Sequence, residues 1–234
     1  MKLLTFSLLL SLTSGFISPR TSYLARPPVT KSGLFAKAGV YFGTVTGTTE
    51  DIATMIQDEL TNQGISCADP VCVDNIQGHL APVFAKHDTI IAGAPSYLKM
   101  RGEENIEQTG TAWDNVLNYD ILCNHQCNLD DEEVRQVLQQ KNVACFGVGD
   151  QICYPENFCD AVGELHSVFS QIGCKMYVKM PIDKETFSFT KSKAVKEGDH
   201  DSVGLLIDQD GQYDLTPLRI KMWVSKLVDD GFFA

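Results

Sequence analysis

From Gly39 onward the chain alternates short, near-continuous apolar runs with segments of helical periodicity, and that alternation admits few architectures. The runs are GVYF (39–42), PVCVD (70–74), TIIAGAP (89–95), NVACFG (142–147) and CKMYVKM (174–180), the last resuming as SVGLLID (202–208) after an interruption. Strands apolar along their whole length are buried on both faces, which implies a parallel sheet covered by helices. Residues 48–64 place Ile52, Met55, Ile56 and Leu60 three or four apart, with Gly64 as a stop. Residues 156–173 set Phe158, Ala161, Val162, Leu165, Val168, Phe169 and Ile172 on one face. A last helix is expected after Thr216 as N-cap, with Pro217 in its first turn and Ile220, Trp223, Val224 and Leu227 buried. Residues 98–141 are the least regular, read as a polar loop over 102–110 with helical fragments near 113–117 and 132–138. The expected fold is an open, doubly wound α/β sheet whose sites lie at the carboxyl ends of the strands.

Charge is distributed unevenly along the 234 residues. Four of the 19 Lys and Arg, and none of the 30 Asp and Glu, fall in residues 1–36, leaving 15 basic against 30 acidic residues beyond. So acidic a body disfavours nucleic acid and anionic membrane and favours steered encounters with basic protein partners, although plain solubility accounts for the same charge. Residues 1–15 have one lysine, an apolar run and small residues, the pattern of a signal peptide. Residues 16–36 are basic, hydroxylated and free of acids, a transit-like segment, and the body spans 37–234. No membrane insertion of the mature protein is expected.

Of the eight cysteines, Cys145 and Cys174 fall in apparent core strands, where a free thiol acts as a small hydrophobe. Cys123 and Cys127 have a metal-like spacing without a matching second pair, so no metal site is expected. The pattern favours a reducing compartment over a disulfide framework.

Three loops at strand ends carry unusual content. GTVTGTTE (43–50) has Gly47 for a tight turn, and its amides and the hydroxyls of Thr44, Thr46, Thr48 and Thr49 can surround a phosphate at a helix N-terminus. It has no lysine and no GxGxxG, which excludes a nucleoside-triphosphate loop and disfavours a dinucleotide, and suits a monophosphate ester. Taken alone, it reads equally as a Thr-rich capping turn. The second loop, APSYLKMRG (94–102), offers Ser96 and the ring of Tyr97. The third, GVGDQICYPENF (147–158), exposes the amides of Gly147 and Gly149, then Asp150 and the ring of Tyr154. Two aromatics on neighbouring strand ends beside a phosphate cradle suit a planar ring stacked between them.

Read together, GTVTGTTE, APSY and GVGDQICYPENFCDAVGEL resemble the phosphate loop and the two ring-contacting loops of the flavodoxin family, with similarity along residues 39–96 and 142–230. The interruption containing FSFTKSKA resembles the loop that splits strand five in long-chain flavodoxins. The resemblance implies a five-stranded sheet in the order 2-1-3-4-5 and bound FMN. Thr44, Val45, Thr46, Gly47, Thr48 and Thr49 would hold its phosphate. Ser96 and Tyr97 would border the ring's inner side, the latter where long-chain members usually have Trp. Gly147, Gly149 and Asp150 would lie by the pyrimidine edge, Tyr154 would stack on the outer face, and Asn157, Phe158 and Cys159 would complete the loop. Cys159 replaces an expected polar amide, and residues 98–112 are longer than the family's loop and bring Lys99 and Arg101 towards the ring.

The implied role is a low-potential one-electron carrier with no catalytic side chain, moving electrons from photosystem I to ferredoxin-NADP reductase in place of ferredoxin. The leader resembles the two-part leaders of nuclear-encoded plastid proteins in algae with secondary plastids, such as diatoms, including Phe16 after the small-residue site. It places the chain in a plastid stroma. Two other readings remain open on the same scaffold: an FMN-dependent quinone or metal reductase, and a flavin-free binding or assembly protein.

Overall fold

The computed structural model describes residues 38–76, 80–101, 104–109, 111–115, 129–139, 141–177, 179–196 and 198–234. The segments 1–15 and 16–36 read as a leader, and the pair Cys123 and Cys127, lie outside the described residues. All the described residues belong to one unit, Phe35–Ala234.

In chain order, β1 (Ala38–Phe42) leads to α1 (Thr48–Asn62), β2 (Val71–Cys72), a short α2 (Ala81–Phe84) and β3 (Thr89–Pro95). β4 (Tyr97–Arg101), β5 (Glu104–Gln108), α3 (Trp113–Asn115) and α4 (Leu129–Leu138) precede β6 (Asn142–Gly149). Then come α5 (Asp160–Ile172), β7 (Lys175–Met176), β8 (Met180–Pro181), β9 (Asp201–Ser202), β10 (Leu205–Asp208), α6 (Gln209–Gln212) and α7 (Thr216–Asp229). The main sheet runs β10-β6-β3-β1-β2, all parallel, with β7 also on β6. This is the expected order 2-1-3-4-5, with β7 and β10 as the two parts of an interrupted fifth strand.

Alternation along the strands divides the core between the two faces, as the period of two requires. Ile90, Ala92, Ala94, Val143 and Cys145 pack with Phe84, Val134, Leu138, Val162, Leu165 and Phe169 from α2, α4 and α5. Val40, Phe42, Ile91, Ala144, Phe146 and Val148 pack with Ile52, Ile56, Leu60, Ile220, Trp223, Val224 and Leu227 from α1 and α7. Each fully buried large aliphatic side chain contributes about 1.5–3 kcal/mol to the folded state.

Five expectations are corrected. The second strand is only Val71–Cys72, because the chain enters a 3-10 turn at Val73–Asn75, where Asp74 accepts a hydrogen bond from the Ala112 N–H at 2.7 Å. The segment expected as a polar loop contains the antiparallel hairpin β4–β5, paired from Tyr97↔Gln108 to Arg101↔Glu104. Strand β6 continues to Gly149 because β10 pairs with it over Phe146–Gly149, so Gly147 and Gly149 belong to the strand and not to the loop. Helix α5 begins at Asp160 because Cys159 takes a left-handed conformation (φ 52°), which costs a non-glycine residue about 1–2 kcal/mol. Thr216 is the first helical residue of α7 and not its cap, and its hydroxyl donates to Gln209 Oε1 at 2.7 Å.

The interruption of strand five docks on α5 and adds to the layer there. Asp160 Oδ1 accepts from the Lys193 N–H at 2.7 Å, and Ala194 is fully buried. A Cβ on Gly163 would lie 2.3 Å from the Lys193 carbonyl oxygen, so helix and inserted segment meet backbone to backbone. Gly163→Ala is therefore expected to cost about 1–3 kcal/mol by overpacking, more than the roughly 1 kcal/mol gained in helix propensity. A urea unfolding midpoint lower than that of the wild type checks this; an unchanged or higher midpoint contradicts it.

Candidate functional site

The carboxyl ends of β1, β3 and β6 stand side by side in the sheet, so the loops leaving them share one edge. The first loop turns directly into α1. Gly47 is its N-cap with φ 93°, a conformation open to glycine at no steric cost, and no atom lies within 4 Å of a Cβ placed there. The Gly47 N–H donates to Thr44 Oγ1 at 3.0 Å, and the hydroxyls of Thr46 and Thr48 are 3.1 Å apart on the exposed rim. Val45 is 48% exposed, whereas Thr49 is buried at the base of the loop and not presented at its rim. A neutral, hydroxyl-rich turn at the positive end of a 15-residue helix suits an anion held by hydrogen bonds without a lysine.

Beneath that loop lies a network the sequence reading did not identify. Gly43 approaches Thr111 so closely that a Cβ on it would lie 2.2 Å from Thr111 Oγ1. Buried Thr109 donates its hydroxyl to Asp114 at 2.8 Å, and Asp114 also accepts the Thr109 N–H. Thr111 Oγ1 in turn lies 2.8 Å from Thr109 Oγ1 and accepts the Trp113 N–H at 3.3 Å. The segment TGTAWD carries a signal after the fact, small hydroxyls just ahead of an Asp and a Trp, but one in common with many turns.

At the second loop, Ser96 is spent on the framework. Its N–H donates to Val148 O at 3.0 Å and its hydroxyl accepts from the Ala161 N–H at 3.0 Å, tying β3 to β6 and to the first turn of α5. The side chains of Tyr97, Lys99 and Arg101 lie outside the described residues; their backbones form β4.

In the third loop, Asp150 Oδ1 accepts the N–H groups of Ile152 (2.9 Å) and Cys153 (2.8 Å), a side-chain turn that carries the chain to Tyr154. The Cys153 thiol, its N–H and that of Ile152 hold the Asp150 carboxyl below its usual range, so it is ionised at neutral pH. Tyr154 is 51% exposed and Ile152 70%, the ring standing at the rim. Gly149 is tight against the Cys159 N–H, 3.0 Å from a Cβ placed there, and Gly147 against Val162. Asn157 donates its amide to Asp160 at 3.2 Å. Phe158 and Cys159 are fully buried and support the loop from below: Phe158 stacks on Phe189 with centroids 5.0 Å apart, and the Cys159 thiol contacts the Gly147 carbonyl at 3.5 Å. Gln151 is a further residue that the sequence did not single out, a buried amide between β10 and the inserted segment.

Among the described residues the thiols are free and held neutral. Burial pushes the Cys159 and Cys145 thiols well above their ordinary value, and that of Cys174 up to about 12. Cys153 is exposed, yet the Asp150 carboxylate raises its pKa too. Thiolate being the nucleophile, Asp150→Asn is expected to lower the Cys153 pKa and speed its alkylation several-fold at pH 7.5, read by mass spectrometry of that peptide. Unchanged labelling contradicts the geometry. Among the described residues no group of three or more His, Cys, Asp or Glu could hold a metal, and no helix is long and apolar enough to cross a membrane.

Comparison with known proteins bears on the same elements. The family model "Flavodoxin" matches residues 40–223. The flavodoxin of Synechococcus elongatus is 36% identical over 192 residues, covering 82% of this chain and 96% of its own. That of Klebsiella pneumoniae is 32% identical over 197 residues, covering 82% and 93%. Among solved structures, Fusobacterium nucleatum flavodoxin bound to flavin mononucleotide superimposes with a TM-score of 0.63 at 20% identity, covering 84% of this chain and 99% of that one, a likeness of fold. A family model spanning most of the chain, and relatives matched almost end to end, establish that this chain belongs to the flavodoxin family.

Proposed function

We propose that the chain carries electrons from photosystem I to ferredoxin-NADP reductase in a plastid stroma, in place of ferredoxin, and that it is a flavodoxin of the long-chain type. As a flavodoxin it binds FMN and is an electron carrier, not a substrate-converting enzyme. The observation that carries the finer reading is the contrast between an acid-free basic leader and a strongly acidic body on this fold. The long-chain assignment is supported by the split of strand five between Lys175–Met176 and Leu205–Asp208.

The residues present fit FMN. The open space over Gly47 and the paired hydroxyls of Thr46 and Thr48 suit its phosphate, with Thr44 holding the turn. Tyr154 offers a rim aromatic to one ring face, and Tyr97 is proposed for the other. When bound, FMN supplies a ring that takes up and releases single electrons. Asp150, kept ionised, places negative charge at the loop that would read the ring's edge, which disfavours added negative charge and lowers the potential. No side chain has to move a proton for the carrier to turn over.

Rapid-mixing kinetics test the partner assignment. Photosystem I particles are expected to reduce the FMN-loaded body, and ferredoxin-NADP reductase to reoxidise it. Both rates should fall about tenfold or more as ionic strength is raised through the physiological range, because steering of an acidic carrier to basic docking sites is screened. A protein that is reduced by dithionite but by neither partner contradicts the assignment. For localisation, residues 1–36 fused to a fluorescent protein in an alga with secondary plastids should direct it to the stroma; retention in the secretory pathway contradicts that.

A further inference from the structure

Tyr154 stands exposed at the rim, yet the backbone on both sides of it is held by the segment that interrupts strand five. Three residues before it, Gln151 is 3% exposed and turned inward. Its Nε2 donates to Asp208 Oδ2 at 2.8 Å, at the end of β10, and its Oε1 accepts from the Ser188 N–H at 2.7 Å and from the Ser188 hydroxyl at 3.3 Å. Immediately after Tyr154, the Pro155 carbonyl accepts the N–H groups of Thr190 (2.8 Å) and Lys191 (2.9 Å), and the Phe158 N–H donates to Lys191 O at 3.3 Å.

The inserted segment is itself anchored on its far side. The Arg219 guanidinium lies 4.0 Å over the Phe187 ring and donates to Gln212 Oε1 at 2.6 Å, while Gln212 donates to the Thr186 carbonyl. Asp208 is fully buried and also accepts the Gly211 N–H at 2.8 Å, so the acceptor that Gln151 uses is fixed by two donors. Moving Tyr154 therefore means breaking hydrogen bonds on one side of it or the other, the costliest being the buried bond from Gln151 to Asp208, whose groups would be left without water.

We propose that Gln151, acting with residues 183–194, is a positioning residue of the electron-transfer site that sets where Tyr154 stands against the flavin. The proposal rests on the FMN reading above. The residue type is dictated by its two neighbours: a carboxylate needs a donor and a backbone N–H needs an acceptor, and one amide supplies both. Asn is a methylene shorter, and an ionised Glu would face the Asp208 carboxylate.

A double-mutant cycle on FMN affinity tests this, using fluorescence-quenching titrations of the body with FMN. Gln151→Ala is expected to weaken FMN about tenfold when Tyr154 is present, but less than about twofold in a Tyr154→Ala background, because the two act as one unit. Equal losses in both backgrounds would show that Gln151 merely stabilises the fold, and would overturn the inference. A wild type that takes up no FMN would overturn the FMN reading itself, a different failure.

Gln151→Glu supplies a second readout that does not rely on truncation. It keeps the acceptor for Ser188, and when protonated it can still donate to Asp208. Asp208 faces it directly; Asp150, Asp208 and Asp210 act on the nearby Cys153, and Arg219 is coupled to Asp208, Asp183 and the Cys159 thiol. FMN affinity of this variant should approach that of the wild type at low pH and fall as pH rises and the introduced carboxyl ionises, burial and Asp208 setting its pKa above the ordinary carboxylate range. A profile parallel to that of the wild type throughout would overturn the proposal.

Discussion

The carbonyl of Gly93, near the end of the central strand β3, receives two hydrogen bonds at 2.9 Å, from the Gly43 N–H and from the Trp113 indole. Neither glycine has room for a side chain: a Cβ on Gly93 would fall 2.0 Å from the Phe146 ring, and one on Gly43 would strike Thr111. Bare backbone at this junction lets β1 and β3 finish in contact, with the first loop leaving directly above them. The Thr109, Thr111 and Asp114 network then fixes the far end of the hairpin insertion to the same point, as Ser96 fixes its near end to α5. A parallel sheet brings the carboxyl ends of its strands together, and this junction makes two of them rigid.

What the edge presents is suited to a carrier. Threonine hydroxyls and helix amides suit an anion in a loop that has no lysine, a rim aromatic offers a face, and the ionised Asp150 carboxylate supplies negative charge. Electron transfer asks the protein for a fixed environment and not for proton movement, and the thiol beneath the third loop conforms, since burial keeps Cys159 neutral.

Much of this was legible from the chain because burial on both faces leaves an unmistakable apolar record. The strands read at 39–42 and 89–95, and the buried faces of α1, α5 and α7, followed directly from the apolar pattern. The hairpin 97–108 was not legible: its pairing is local, and charged, polar and apolar residues alternate in it with no contrast that marks a buried face. The end of β6 was misplaced because it is set by a remote partner, Asp208 across the sheet, and the start of α5 because the adjacent Cys159 is left-handed. The supporting contacts of Thr49, Ser96 and Cys159 likewise depend on tertiary partners, and Gln151 went unnoticed, since a lone glutamine in a loop carries no signal until its two partners are in place.

The most direct test of the account is a stepwise anaerobic reduction of the chain expressed from residue 37 and loaded with FMN, followed by visible absorption. The account predicts two separate one-electron waves, the second at low potential, with a distinct long-wavelength spectrum between them. A single two-electron wave with no intermediate spectrum would contradict a one-electron carrier.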